Sequence, residues 1–301
     1  MEWPHAGERG LAQSLLGKRR RWLTALLRFA RQKPLGAAGA VVMLLFAVMA
    51  VAPGIFGAGN PNAQDATQIL KPPSSAHWFG TDNFGRDMYS RIIYGARISV
   101  YVGLVSTLVA TAVGLMLGLI SAFYGGWVDN TTQRMMDILF TLPPLVLALA
   151  IVTMLGPSMN NVLIAISIPR IPGTVRLVRS VALSVNHTQY MEAARALGAS
   201  PLRQMFLHMA PNCLAPLIVY STAGLGTAIL TEASLSFLGM GVPPPAPSWG
   251  RMLSVEAMRY FEIMPWLAIF PGIAISAAVF GANLFGDALR DVLDPRLRGR
   301  G

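Results

Sequence analysis

The chain has 301 residues, 53% hydrophobic and only 13% charged, and its 24 Lys and Arg outweigh 14 Asp and Glu to give a net charge of +10. That balance excludes an ordinary soluble domain, and the single cysteine, Cys213, excludes an intrachain disulfide framework or a Cys-rich metal site. The chain reads as an all-α membrane protein whose cations mark membrane boundaries and do not form a nucleic-acid face.

A membrane helix needs about 20 apolar residues, so spans are sought in stretches free of Asp, Glu, Lys and Arg. Residues 1–34 carry eight cations, including Lys18-Arg19-Arg20-Arg21, and are read as a basic cytoplasmic segment before an uncleaved anchor. That basic flank either fixes orientation only or also meets membrane lipid. The first span is placed at 35–57, followed by an external loop at 58–96. A five-span core then occupies 97–287, with spans at about 98–122, 136–156, 161–179, 212–235 and 263–286. The loop at 180–211 separates the fourth and fifth of these six-span elements, and 288–301 form a cytoplasmic tail.

Gly114 and Gly118 on the second span suit close helix approach. Pro143 and Pro144 predict a bend in the third, either a gate element or a fixed kink. The fourth is interrupted by Arg170, between Pro169 and Pro172, and charge bias decides whether it crosses. With six spans and the N-terminus inside, eighteen of the 24 cations are cytoplasmic; removing the fourth span leaves eleven. Six spans with both termini in the cytoplasm follow.

Ionisable groups at membrane depth are candidate pathway residues. Arg170 either snorkels toward the inner interface or lines the pathway and meets a substrate carboxylate. Glu232, near the outer end of the fifth span, either receives a peptide amino group, caps the neighbouring loop or pairs with a cation. Between the last two spans Pro243, Pro244, Pro245 and Trp249 either form part of an outer gate that receives an external protein or, in the case of Trp249, serve as interfacial aromatics.

The loop after the fourth span is the most ordered pattern outside the spans. Tyr190 to Leu197 are strong helix formers closed by Gly198, and Ser200-Pro201 reads as an N-cap and first turn of a second helix running to Pro211. Glu192-Ala193-Ala194, Gly198 and Pro211, in that spacing, resemble the Glu-Ala-Ala loop of bacterial binding-protein-dependent ABC importer permeases. His77-Trp78-Phe79-Gly80-Thr81-Asp82 with Gly85-Arg86-Asp87, Ser234 to Gly239, Pro243 to Gly250 and Asp291 to Arg296 are similar to the second permease component of the dipeptide/oligopeptide family, which also handles glutathione and nickel complexes.

The resemblance implies a type I ABC importer transmembrane fold in the bacterial inner membrane. It further implies a second homologous permease subunit, two ATPase subunits holding ATP and Mg, and an external solute-binding protein. Glu192, Ala193, Ala194, Gly198 and Pro211 would couple this chain to an ATPase. The chain itself offers no enzyme chemistry: Gly10 to Gly17-Lys18 has the wrong spacing for a phosphate loop, and no metalloprotease or nucleophile-elbow motif occurs. Two rival classes are a secondary transporter, expected to show repeated halves and acidic relays, and a non-transporting membrane scaffold.

Overall fold

The computed structural model describes residues 30–293; the basic residues before Ala30 and the end of the closing motif, Asp294 to Arg296, lie outside the described residues. The described chain is helical, with one isolated bridge between Thr81 and Asp87. In order come α1 (Pro34–Val51), α2 (Met88–Tyr124), α3 (Gly126–Phe140), α4 (Pro144–Leu155), α5 (Met159–Asn186), α6 (Gln189–Ala196), α7 (Pro201–Phe237), α8 (Trp249–Met252), α9 (Val255–Arg259) and α10 (Trp266–Leu293). Helices α1, α2, α5, α7 and α10 are each long and apolar enough to cross a bilayer, and α3 with α4, bent by 88° at their break, is apolar enough only as a pair, either one broken span or a re-entrant loop. Helix satisfies every backbone group within its own segment, which hydrocarbon cannot do.

Several helix limits differ from those read in the sequence, and three of the differences have a visible cause. The second span begins at Met88, ten residues before the expected start, because Arg91 and Arg97 do not end the helix. Arg91 is buried, with Nη1 donating to Pro61 O at 3.1 Å, and Arg97 Nε donates to Ala50 O at 2.9 Å. Asp87 caps the helix by accepting from Ser90 N at 2.8 Å. The His77 to Asp87 motif therefore builds the entry to α2: Asp82 accepts from Phe84 N and Arg86 N, both at 2.9 Å, and pairs with Arg86 Nε at 2.6 Å.

The fourth span continues to Asn186, past the expected limit at 179. Its cations are matched by α3, Arg176 by Asp137 and Arg179 by Asp129. The helix begun at Pro201 does not stop at Pro211 but runs on to Phe237. Proline lacks an N–H, and a π turn at Gln204–Met209 absorbs the change of register, with Ala210 N bonded to Met205 O.

Small residues let the spans meet closely. Gly114 faces Thr174 and Gly118 faces Val178 where α2 crosses α5. Gly36 lies against Ala288 and Gly39 against the backbone of Gly281 and Phe285, joining α1 to α10, and Lys33 Nζ meets Asp291 Oδ2 at 2.6 Å beside them. Three apolar clusters fill the remaining contacts. One surrounds Trp249 with Phe46, Ile92 and Ile275; a second gathers Met191, Leu119, Val178, Met209 and Leu217; the third joins Val102, Val152, Ile166 and Leu235.

Gly39→Val should drive a side chain into the α10 backbone, at a cost of about 1–3 kcal/mol. Thermal unfolding of the purified complex in detergent is expected to show a lower midpoint, whereas Gly272→Ala, where a new methyl meets nothing within contact distance, should leave it unchanged.

Candidate functional site

Three regions hold the residues singled out by the sequence, and the structure separates them. The first is the loop between α5 and α7. Helix α6 ends in a left-handed turn at Gly198, φ +75°, with Gly198 N bonded to Arg195 O at 2.9 Å and Ala199 N to Ala194 O at 3.0 Å. This paired closure requires a residue tolerant of positive φ, and space is not the reason for glycine, since nothing lies within 4 Å of a methyl placed there. Ser200 then caps α7 by accepting from Arg203 N, with Pro201 in the first turn.

Glu192 and Ala193 are exposed on α6, Ala194 is half-buried, and Leu197 at the tip is 87% exposed. Pro211 is exposed within α7 and forms no end to the loop. What fixes the exposed face is Met191, 0% exposed, which joins the apolar cluster that also holds Leu119 of α2, Val178 and Ala182 of α5 and Met209 and Leu217 of α7. Polar staples add to it. Arg195 Nη2 donates to Asn186 Oδ1, Gln204 Nε2 donates to Ala199 O at 2.6 Å, and Asn212 Nδ2 donates to His208 O at 2.7 Å and Tyr190 Oη at 3.1 Å. None of these residues belongs to the motif. Met191 leaves one trace in the sequence: between Gln189 and Ala196 it is the only large aliphatic side chain.

The second region is a cavity of about 430 Å³ between the bend of the third span, α5 and α7. Phe140, Pro144 and Ala148 line one wall, and Arg170 faces Tyr220, Gly224 and Thr227 on the other side. Pro143 precedes α4 at the 88° break, so the two prolines produce a sharp corner beside the cavity. Arg170 lies in a 3-10 turn within α5, and its Nη1 donates to Thr227 Oγ1 at 2.7 Å. The partners across the cavity recur as Tyr220, Gly224, Thr227 and Thr231, a helical spacing of four, three and four that the sequence does display.

The third region contains Glu232 and the segment after α7. Glu232 is 0% exposed; its Oε2 accepts from Ser99 at 2.8 Å, its Oε1 from Ser236 at 2.7 Å, and Ser248 is a further hydroxyl partner. It pins α2, α7 and the start of α8 together, so it neither lines the cavity nor pairs with a cation. Trp249 is likewise 0% exposed, with Nε1 donating to Ile92 O at 2.8 Å and Phe46 set edge-on at 5.1 Å. It cannot meet an external protein or the membrane interface, in contrast to the expectation. Pro243, Pro244 and Pro245 are exposed. The indole holds this segment down while the prolines stand out from it.

The family described as the binding-protein-dependent transport system inner membrane component matches residues 114–299, which include the α6 loop and the cavity. The dipeptide transport system permease protein of Alkalihalophilus pseudofirmus is 42% identical over 277 residues, covering 92% of this chain and 90% of that protein. The glutathione transport system permease protein of Pectobacterium atrosepticum is also 42% identical, over 92% of each chain. The probable D,D-dipeptide transport system permease protein of Escherichia coli K12 is 42% identical, over 89% of each. Among solved structures, the MetNI methionine ABC transporter in an inward-facing conformation gives a TM-score of 0.54 at 19% identity, covering 69% of this chain and 98% of that one, which is a likeness of fold.

Met191→Ala removes the plug of the second cluster, at a cost of about 2–4 kcal/mol. Amides of residues 190–199 are then expected to exchange at least about tenfold faster in hydrogen-exchange measurements on the complex, with the amides in the middle of α2 unaffected.

Proposed function

The chain belongs to the family of inner membrane components of binding-protein-dependent transport systems, and from this we propose that it is the transmembrane permease subunit of an ATP-driven importer of small peptides. It pairs with a second, homologous permease subunit and two ATPase subunits that bind ATP and Mg, and an external solute-binding protein delivers the cargo. This chain hydrolyses nothing. Both termini and the α6 loop face the cytoplasm, in line with the eighteen cations on that side of the six-span topology.

The observation that carries this reading is the α6 loop. A docking element must be exposed to its partner and rigid toward the body it moves. Glu192, Ala193 and Leu197 supply an exposed face, while Met191 and the Asn186, Arg195 and Gln204 staples fasten it to α2, α5 and α7. Closure of the ATPase pair on nucleotide then displaces the loop and tilts the spans joined to it, moving the pathway from inward-facing to outward-facing. Glu192 is a contact in this scheme, not a catalyst. In the same scheme the exposed Pro243 to Pro245 meet the binding protein on the opposite face.

The relatives that are dipeptide permeases favour peptides, and the glutathione permease at equal identity supports a second reading in which the cargo is a modified tripeptide. A secondary transporter is disfavoured by Glu232, the carboxylate buried in the spans, because serine hydroxyls on three elements enclose it and leave it no relay partner.

Reconstitution with the partner subunits tests the proposal directly. ATP-dependent uptake of labelled dipeptide is expected, and uptake driven by a proton gradient without ATP would contradict it. Glu192→Arg should lower uptake at least about tenfold, equivalent to about 1.4 kcal/mol of coupling, with membrane insertion intact and ATP hydrolysis no longer stimulated by the loaded binding protein. Normal uptake in that variant would remove the coupling role.

A further inference from the structure

Arg170 occupies the interior of a 28-residue helix, about 16 Å along the axis from Met159 and about 24 Å from Asn186. Its side chain does not run along the helix toward an interface. It crosses to α7, where Nη1 is held by Thr227 and a methyl group at Gly224 would collide with Nη2. Glycine at that position is what lets the guanidinium lie flat against the opposite helix.

A cation at membrane depth is costly and is normally paired. None of the ion pairs among the described residues involves Arg170, and its Nε has no hydrogen-bond partner. By contrast Arg176 and Arg179, on the same helix, each have a carboxylate on α3. The group left without one is the group that lines the cavity. At about 430 Å³ that cavity falls within the range of small-molecule sites, and Tyr220, Thr227 and Thr231 add hydroxyls to a lining that is otherwise apolar apart from Arg170 and includes Phe140 and Pro144.

We propose that Arg170, with Tyr220 and Thr227, is a carboxylate-binding subsite on the transport pathway, through which the permease itself reads the C-terminal carboxylate of its cargo. The proposal rests on the peptide-importer reading above. Guanidinium is the side chain best matched to a carboxylate, which it binds through parallel N–H donors, and with Thr227 on one terminal nitrogen the fork still has donors to give. The low-dielectric walls strengthen the attraction. A single cation with no second anchoring charge among the lining residues also keeps the hold weak enough for release. Selection of cargo is then shared between the external binding protein and the membrane subunit.

The test uses the complete importer in proteoliposomes, with Cys213→Ala and Ala223→Cys in this chain. Ala223 lines the cavity beside Gly224 and is exposed to it. The probes are an anionic sulfonatoethyl methanethiosulfonate and its cationic trimethylammonium counterpart, each rate divided by that for free cysteine. The anionic reagent is expected to be favoured about tenfold. Arg170→Gln should abolish that preference and lower Ala-Ala uptake at least about tenfold, with cargo affinity of the separate binding protein unaltered, and Arg170→Lys should restore most of both the preference and the uptake. Absence of labelling, labelling without charge preference, or undiminished uptake in Arg170→Gln would each overturn the proposal. A complex that keeps the charge preference but imports no peptide would overturn the peptide reading and support the same subsite for another anionic cargo.

Discussion

Met191 is where the exposed loop and the membrane helices become one body. Burying a methionine side chain is worth about 1.5–3 kcal/mol, and here the side chain joins a cluster built from three helices, since Leu119, Val178 and Met209 come from α2, α5 and α7. Without that plug, α6 would be an eight-residue helix on a glycine turn, far too short to hold its form alone. With it, a force applied at Glu192 reaches the spans through packed side chains and not through a slack connection. The arginine staple to Asn186 and the glutamine staple to Ala199 prevent rotation about that anchor.

The same anchor links the loop to the cavity. Helix α7 begins one turn from Gly198 and continues unbroken through the π turn to Phe237, so the segment gripping Met191 and the segment carrying Tyr220, Gly224, Thr227 and Thr231 belong to one helix. On the proposed reading the loop and the wall opposite Arg170 therefore move together. Toward its other end α7 is pinned to α2 by Glu232 and three serines, and Trp249 closes the adjoining cluster. A lever fixed at both ends with a cavity between them suits a pathway whose width changes while its ends hold.

How much of this was legible in the sequence follows from what each signal measures. Long uncharged runs mark hydrocarbon, and four of the five long apolar helices are visible as such, while α5, interrupted by Arg170, is legible only through the charge bias of the loops. Their ends are less legible where charge serves as a boundary, and partnered arginines break that rule: Arg91 and Arg97 both lie inside the start of α2. Gly198 and Ser200-Pro201 were legible because backbone geometry restricts those positions to few residue types. Pro211 misled because a proline preceded by a π turn does not end a helix. Trp249 misled for another reason, whereas Glu232 meets Ser248 of the neighbouring loop, one of the roles expected of it. An indole or a carboxylate near a loop is equally consistent with a surface role and a buried one, and only the third dimension supplies Ile92 O or Ser99 Oγ as the partner.

The most direct measurement of the rigid linkage is a pair of spin-label distances in the assembled complex, with labels at Gln189→Cys and Leu230→Cys in a Cys213→Ala background. Both labelled positions are exposed, one on α6 and one on α7 at the level of the cavity, between Thr227 and Thr231. Compared with and without ATP, the distance within this chain should remain constant, while the distance from Leu230→Cys to a label on the second permease subunit changes. A nucleotide-dependent change in the distance within the chain, with the distance between the permease subunits unaltered, would contradict the linkage through Met191.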